Sequence, residues 1–214
     1  AVTTFAVVAS VAATGLSSGV VLILGGANLL ADGFSMAAGN YLGIRAEKQM
    51  EEKARKQEEY EIEVIPEGER EEIRQIFAAK GFEGETLESI VEVITADKKQ
   101  WVDTMIVEEY GVSKTNTSAV KAAVVTYLAF IIIGAIPLLT FIIDLLFPGV
   151  IANPFTASIG LTAIAFFVVG ALKSRFVSNS IFREGFETLF IGGLAAGIAY
   201  GIGLLLRPLV NGAL

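Results

Sequence analysis

The sequence contains neither cysteine nor histidine among its 214 residues. Without cysteine the chain can form no disulfide and no thiolate zinc site, and without histidine no imidazole is available to bind a metal. Any metal site must therefore use carboxylate, amide, hydroxyl or carbonyl oxygens, or methionine sulfur. A di-iron oxidase of the ferritin type is disfavoured, because such sites usually use a Glu-x-x-His motif.

Charged residues are missing from four long stretches of the chain. These stretches cover residues 1–31, 122–143, 145–172 and 188–206. Each has at least roughly the 20 apolar residues that a helix needs to cross the hydrocarbon core of a bilayer. Helices of a soluble protein keep a polar face towards water, so the pattern predicts an all-α membrane protein.

The charged residues are concentrated in one insert between the apolar stretches. Residues 45–112 hold 19 of the 23 acidic and 10 of the 16 basic residues, so the acidic excess behind the chain's net charge of −7 lies in this insert. No basic patch of the kind that binds nucleic acid is seen. The sequence also has no nucleophile–base pair and no glycine-rich phosphate loop, so we do not expect an enzyme.

Five transmembrane helices are expected, with the insert between the second and the third. The first lies within residues 1–14 and is too short alone to span, as in a chain whose N-terminal part is missing. The second starts near Val20 and continues without a break into the insert, up to Pro66. The remaining three are predicted at 118–147, 154–172 and 186–206.

The insert is predicted to form a small helical domain. Apolar periodicity favours helices over 67–79, 86–95 and 98–110, with Gly81 ending the first. Eight apolar residues should supply its core: Ile73, Ile76, Phe77, Ile90, Val91, Ile94, Trp101 and Ile106. The predicted domains are therefore transmembrane helices in 1–44, the Glu-rich helical domain in 45–113 and transmembrane helices in 114–214.

The orientation follows from the basic residues of the short connections, which favour the cytosolic side. With five spans, all of these residues share one side with the insert, whereas the loops at 15–19 and 148–154 are uncharged. We therefore expect residues 45–113 to be cytosolic. The residues on which this depends are Arg45, Lys48, Lys53, Arg55, Lys114, Lys121, Lys173, Arg175 and Arg183.

The second helix carries a polar stripe within the predicted membrane span. Asn28, Asp32, Met36 and Asn40 follow one another at steps of four residues and therefore share one side of the helix. A carboxylate at this depth is costly unless it faces a cavity, a partner or a permeant ion. The stripe is a candidate transport pathway, and the structural alternative is an aspartate hydrogen-bonded to neighbouring helices.

Two further features of the last helix have open interpretations. Glu184 and Glu187 lie near its start, where they either guide cations at the cytosolic mouth or are simply solvated. Glycines recur every four residues at Gly193, Gly197 and Gly201, a spacing that lets helices approach closely. This spacing fits tight packing within one subunit as well as a seam between two subunits.

Glutamate spacing within the insert predicts a metal site. The sequence places acidic or thioether side chains in three pairs, each on one helix face: Glu58 and Glu61, Glu69 and Glu72, Met105 and Glu109. A solvated acidic face is the alternative, because Glu-x-x-Glu arises often in a Glu-rich helix. Mixed oxygen and thioether ligands favour Fe²⁺, with Mn²⁺, Co²⁺ and Zn²⁺ as competitors.

The segment from Asn28 to Leu42, NLLADGFSMAAGNYL, resembles the second helix of the vacuolar iron transporter family. The order of two helices, a Glu-rich domain and three more helices is also similar to that family, in a prokaryotic-type form. In the family the cytosolic domain binds metal through two glutamate pairs followed by a Met and a Glu four residues apart. The resemblance assigns those roles to the three pairs named above, and assigns Met36 to the membrane pathway.

The resemblance further implies a homodimer with the pathway between its subunits. It implies export of Fe²⁺ from the cytosol in exchange for protons, here across a prokaryotic inner membrane. An aspartate of the family's first helix, which partners the methionine of the second, would lie before Ala1. The expected partners are divalent ions and membrane lipid, with no nucleic acid and no cofactor apart from the transported ion. A membrane-anchored iron sensor or buffer without transport is the alternative function.

Overall fold

The computed structural model describes residues 1–111, 117–177 and 179–211. Within these residues there are nine helices and no strand. Their bounds, in chain order, are α1 Val2–Ala13, α2 Ser18–Val64, α3 Pro66–Ala79, α4 Gly84–Thr95, α5 Lys98–Glu108, α6 Ala119–Gly134, α7 Ile136–Leu146, α8 Pro154–Val177 and α9 Ile181–Asn211. The all-helical fold class is thus confirmed.

The number of spans is only partly that expected. The helices α2, α8 and α9 are long and apolar enough to cross a membrane, and α6 with α7 makes a fourth such segment if the bent pair is counted as one span. The prediction of one continuous helix over 118–147 is wrong, because α6 and α7 meet at a bend of 52°. Pro137 explains the bend, since its ring clashes with the preceding turn and it supplies no N–H to the carbonyl of Ile133. Helix α1 is apolar but has only 12 residues.

The described residues divide into two compact units, Ala1–Gly39 with Ala122–Leu214, and Asn40–Lys121. The predicted boundary between 113 and 114, like Lys114 itself, lies outside the described residues. Helix α2 contributes its residues up to Gly39 to the first unit and those from Asn40 onwards to the second. That it runs unbroken through this point, as the sequence predicted, follows from the lack of any proline or strong stop signal before Pro66.

The first unit has an apolar core between α1, α2, α7, α8 and α9. Its centre includes Phe5 and Val8 of α1, Leu138 and Phe141 of α7, and Phe166 of α8. Phe5 and Phe166 meet edge to face with ring centroids 6.4 Å apart. Most of the other large apolar side chains of this unit point outwards, as expected for helices whose solvent is lipid.

The second unit packs α3, α4 and α5 against the end of α2. All eight predicted core residues lie in its apolar cluster, either fully buried or packed against it. Four buried members were missed by the sequence analysis: Ala54, Ile62, Val102 and Met105. Gly81 follows α3 with a φ of 93°, and its N–H donates to the carbonyl of Ala78 at 2.9 Å, so it ends the helix as expected.

Candidate metal centre

A tight reversal between α2 and α3 brings three glutamates together. Helix α2 ends at Val64, Ile65 precedes α3 with a non-helical backbone (φ −132°, ψ 51°), and Pro66 occupies the first helical turn. The reversal returns the chain so that Glu69 meets Glu58 and Glu61. One carboxylate oxygen from each of the three lies within 4.8 Å of the others. This is the only such group of three acidic residues in the described part of the chain.

Burial of Glu58 leaves its charge uncompensated. The side chain is fully buried, and neither of its oxygens has a partner with full hydrogen-bond geometry. Burial raises the pKa of Glu58 to about 7, and repulsion from Glu109, Glu69 and Glu61 adds to this effect. The hydroxyl of Tyr110 lies close enough to lower that pKa in part. A cation bound beside Glu58 would favour its ionised form.

Glu69, on α3, is buried like Glu58 and likewise has a raised pKa. It is 2% exposed, and its Oε2 atom has no hydrogen-bond partner. Burial, followed by repulsion from Glu72 and Glu61, raises the pKa of Glu69 to about 7. Two adjacent carboxyls that ionise only near neutral pH can exchange protons for a metal ion under physiological conditions.

The remaining predicted ligands of the insert lie at different depths. Glu72 is exposed. Glu109 caps the end of α5, where burial and the charges of Glu72 and Glu61 raise its pKa. Met105 is fully buried in the apolar core, and the carbonyl of Met105 accepts a hydrogen bond of 2.9 Å from the N–H of Glu109. The carboxylates of Glu58, Glu61 and Glu69 thus lie together. Glu72 and Glu109 are near enough for their charges to raise the pKa of Glu69.

Two neighbours of the cluster were not singled out from the sequence. The side-chain amide of Gln57 donates to Oε1 of Glu61 at 2.6 Å, which orients that carboxylate. Tyr110 acts on Glu58 as described, and burial together with the charges of Glu109 and Glu58 raises the pKa of its hydroxyl. The adjacency of Tyr110 to Glu109 in the sequence was the one signal that could have identified it.

The polar stripe of α2 belongs to the first unit as far as Met36. The amide Nδ2 of Asn28 donates to Oδ2 of Asp32 at 3.1 Å, and Oδ1 of Asn28 is buried without a partner. Met36 is 54% exposed, and Asn40 is exposed in the second unit. The structure therefore joins Asn28 to Asp32 and leaves Met36 on the outer surface of the single chain.

Glu184 and Glu187 differ in their surroundings. Glu184 is 3% exposed and pairs with Lys173 of α8 at 2.8 Å, while the side chain of Asn179 donates to its other oxygen at 2.8 Å. Glu187 is exposed. Glu184 therefore joins the ends of α8 and α9 as one member of an ion pair, and only Glu187 is open to solvent or to a passing cation.

The fold and the carboxylate cluster together define a class of protein: an integral membrane protein of apolar helices that carries an acidic helical unit. Comparison of the sequence with protein families gives a match to the VIT family over residues 1–204. The chain belongs to this family.

Several relatives at about 30% identity agree with this assignment. The chain is 34% identical over 216 residues to a vacuolar iron transporter of Toxoplasma gondii, covering 98% of this chain and 72% of the relative. It is 32% identical to vacuolar iron transporter 1 of Arabidopsis thaliana and 31% identical to vacuolar iron transporter 1 of Oryza sativa subsp. japonica, covering 92% of this chain and 77% of each relative. These relatives are named as transporters and not as enzymes.

Proposed function

We propose that this protein exports Fe²⁺ from the cytosol in exchange for protons, with Mn²⁺ and other divalent ions as secondary substrates. The acidic unit formed by α3, α4, α5 and the end of α2 captures the ion on the cytosolic side. The membrane concerned is the plasma membrane of a prokaryote, in keeping with the short connections between helices. The names of the relatives support iron as the cargo.

The observation that carries this proposal is the cluster of Glu58, Glu61 and Glu69. Three carboxylates within 4.8 Å repel one another, and burial of Glu58 and Glu69 makes their ionised forms still less stable. A divalent cation relieves both effects at once, and its binding releases protons from groups whose pKa is about 7. Capture of the ion is therefore coupled to protons at the cluster itself.

We further propose a homodimer whose pathway is lined by the polar stripe of α2. The face of α2 next to the stripe, whose residues also recur at steps of four, packs into the first unit. Leu29 and Ala37 on this face are both buried. Each residue of the stripe precedes a residue of that face by one position and therefore points in a different direction around the helix. Met36 thus lies on the surface of the single chain. A surface with an aspartate and an exposed thioether is poorly suited to lipid, and a second copy would cover it.

Metal flux into sealed proteoliposomes tests the proposed function. Fe²⁺, Mn²⁺, Zn²⁺ and Ca²⁺ are compared with and without an opposing proton gradient, and each flux is followed with an internal metal indicator. We expect Fe²⁺ to move fastest and the gradient to accelerate it. Asp32→Ala and Met36→Ala should each lower the rate by at least about tenfold, because each removes a ligand for the ion from the path.

Two outcomes would overturn parts of this scheme. Tight binding of Fe²⁺ to the protein without flux in any gradient would favour a membrane-anchored sensor or buffer. Unchanged flux in both α2 variants would show that the ion takes another path. Leu30→Ala, at an exposed position on another face of α2, serves as the matched control.

A further inference from the structure

The glycines of α9 lie on two different faces of the helix. A Cβ atom at Gly192 would overlap the ring of Phe166, and one at Gly203 would overlap the main-chain carbonyl of Ser10 in α1. At Gly193 and Gly197 a Cβ atom would meet no heavy atom within 4 Å. Close packing within the chain therefore accounts for the first pair of glycines and not for the second.

The open glycines form the floor of an apolar groove between α1, α8 and α9. The groove has a volume of about 370 Å³ and opens to the outside of the bundle. Its other lining residues are Phe5, Ala9, Phe155, Ile159, Ala196 and Tyr200. The rings of Phe155 and Tyr200 stack with centroids 5.7 Å apart, which fixes the wall at one end. Because α8 and α9 are membrane spans, the groove lies at the depth of lipid acyl chains.

A basic residue stands beyond the same end of the groove. Arg207 follows Tyr200 by seven residues, which places both on one side of α9 and about 10 Å apart along it. Arg207 is exposed, and no carboxylate in the described part of the chain pairs with it. Its guanidinium is therefore available to an anion at the membrane surface.

We propose that this groove binds one anionic phospholipid, with an acyl chain over Gly193 and Gly197 and the phosphate at Arg207. The distance from Arg207 to Gly193 is 14 residues of helix, or about 21 Å. One leaflet measures roughly 20 to 22 Å from its headgroup surface to the midplane. A single lipid molecule therefore reaches from the guanidinium to the last open glycine. This inference goes beyond the transport function and does not depend on it.

The shape of the groove favours a lipid over a second copy of the chain. A helix with its side chains is about 10–12 Å across and packs on glycines only where their surroundings are also small. Here Ile159, Phe155 and Tyr200 line the same groove, and Ile159 is 44% exposed. A slender acyl chain fits between these side chains, whereas a helix would have to displace them.

Native mass spectrometry of the full chain, released from membranes into mild detergent, tests the proposal. Phosphatidylglycerol and phosphatidylcholine with the same acyl chains are added in turn, and the retained lipid is counted per chain. We expect one retained phosphatidylglycerol. Gly197→Leu, which fills the groove, should lower the retention of phosphatidylglycerol at least about fivefold. Arg207→Gln should abolish the preference for phosphatidylglycerol over phosphatidylcholine. Gly160→Leu, also at an open glycine but outside the groove lining, is the control.

A second experiment uses the absence of cysteine from the chain. Gly197→Cys is small enough to leave the fold intact and gives a unique thiol. Phosphatidylglycerol should slow its alkylation by an apolar maleimide at least about fivefold relative to Gly160→Cys. Equal lipid retention in Gly197→Leu and Gly160→Leu, or equal alkylation with and without lipid, would refute the lipid site. Disulfide-linked dimers of Gly197→Cys in membranes would identify the groove as an interface between copies instead.

Discussion

Glu58 is buried, lacks a hydrogen-bond partner of full geometry and lies beside Glu61 and Glu69. A buried carboxyl that serves only the fold would normally pair with a cation or accept hydrogen bonds from the main chain. The pKa of Glu58, about 7, is the expected response of an acid in such surroundings. Burial of this carboxyl is therefore unfavourable, and a cation bound beside it would offset the cost.

This gives a prediction for the stability of the metal-free protein. The pKa of Glu58 and of Glu69 lies at about 7 in the folded state, against an ordinary value of 4.5. Between these values the folded state holds more protons than the unfolded state, so stability falls as the pH rises from 4.5 to 7 and then levels off. For Glu58 alone the loss is roughly 3 kcal/mol. Chemical unfolding of the full chain in detergent with a chelator, followed by fluorescence, measures it.

Trp101 makes this measurement specific to the second unit, because it is the chain's single tryptophan and is buried in that unit's core. Glu58→Gln should raise stability at pH 8 and flatten the pH profile. Glu59→Gln, at an exposed neighbouring position, should change neither. A profile that stays flat from pH 4.5 to 8 in the original protein would contradict the assigned pKa values.

The sequence indicated which residues are candidate metal ligands, but it did not indicate how deeply each of them is buried. The spacing of three residues puts the carboxylates of Glu58 and Glu61 close together on α2, and Met105 lies one turn before Glu109. Burial depends on which residues of other helices pack nearby, which spacing within one helix does not reveal. Met105 is for this reason a core residue as well as a predicted ligand.

At the scale of the helix, α2 and α9 show the same feature: the face that stood out in the sequence is not the face that packs against other helices. In α9 the regular series Gly193, Gly197 and Gly201 drew attention in the sequence, yet the close contacts are made by Gly192 and Gly203. In α2 the polar stripe likewise lies one residue away from the packed face. Hydrophobic periodicity cannot separate such faces in a membrane, because lipid and protein interior are both apolar.

Substitution of single glycines in α9 tests this distinction. Gly203→Ala should lower stability by about 1–3 kcal/mol, because the added methyl group would meet the main chain of Ser10 and force α1 away from α9. Gly201→Ala, two residues earlier, meets nothing within 4 Å and should be neutral or slightly stabilising. Thermal unfolding in detergent, followed by size-exclusion chromatography, compares the two. Equal loss in both variants would contradict the packing described here.

At the scale of the whole molecule, the distribution of charge predicted most of the architecture. Four uncharged stretches and one acidic insert were sufficient to identify the apolar helices that precede and follow the second unit along the chain. The bend between α6 and α7 was missed even though Pro137 was visible, because membrane helices often accommodate a proline without breaking.

The last prediction separates capture of the ion by the second unit from its passage through the first. If the cluster only raises the local concentration of metal, Glu58→Ala with Glu61→Ala should increase the half-saturating Fe²⁺ concentration for flux at least about tenfold and leave the maximal rate unchanged. Asp32→Asn should do the reverse, lowering the maximal rate while iron binding measured by calorimetry stays the same.

The matched control for the double variant is Glu59→Ala with Glu67→Ala, which removes the same formal charge from exposed positions near the cluster. Its half-saturating concentration should rise by less than about twofold, since exposed charges are screened by salt. If the half-saturating Fe²⁺ concentration rises equally in both double variants, the cluster is a solvated acidic face that attracts cations in general and not a specific site. A site that only captures the ion is bypassed once the ion is abundant. If the folded Glu58→Ala, Glu61→Ala double variant shows no flux at any Fe²⁺ concentration, the cluster is instead an obligatory step of translocation.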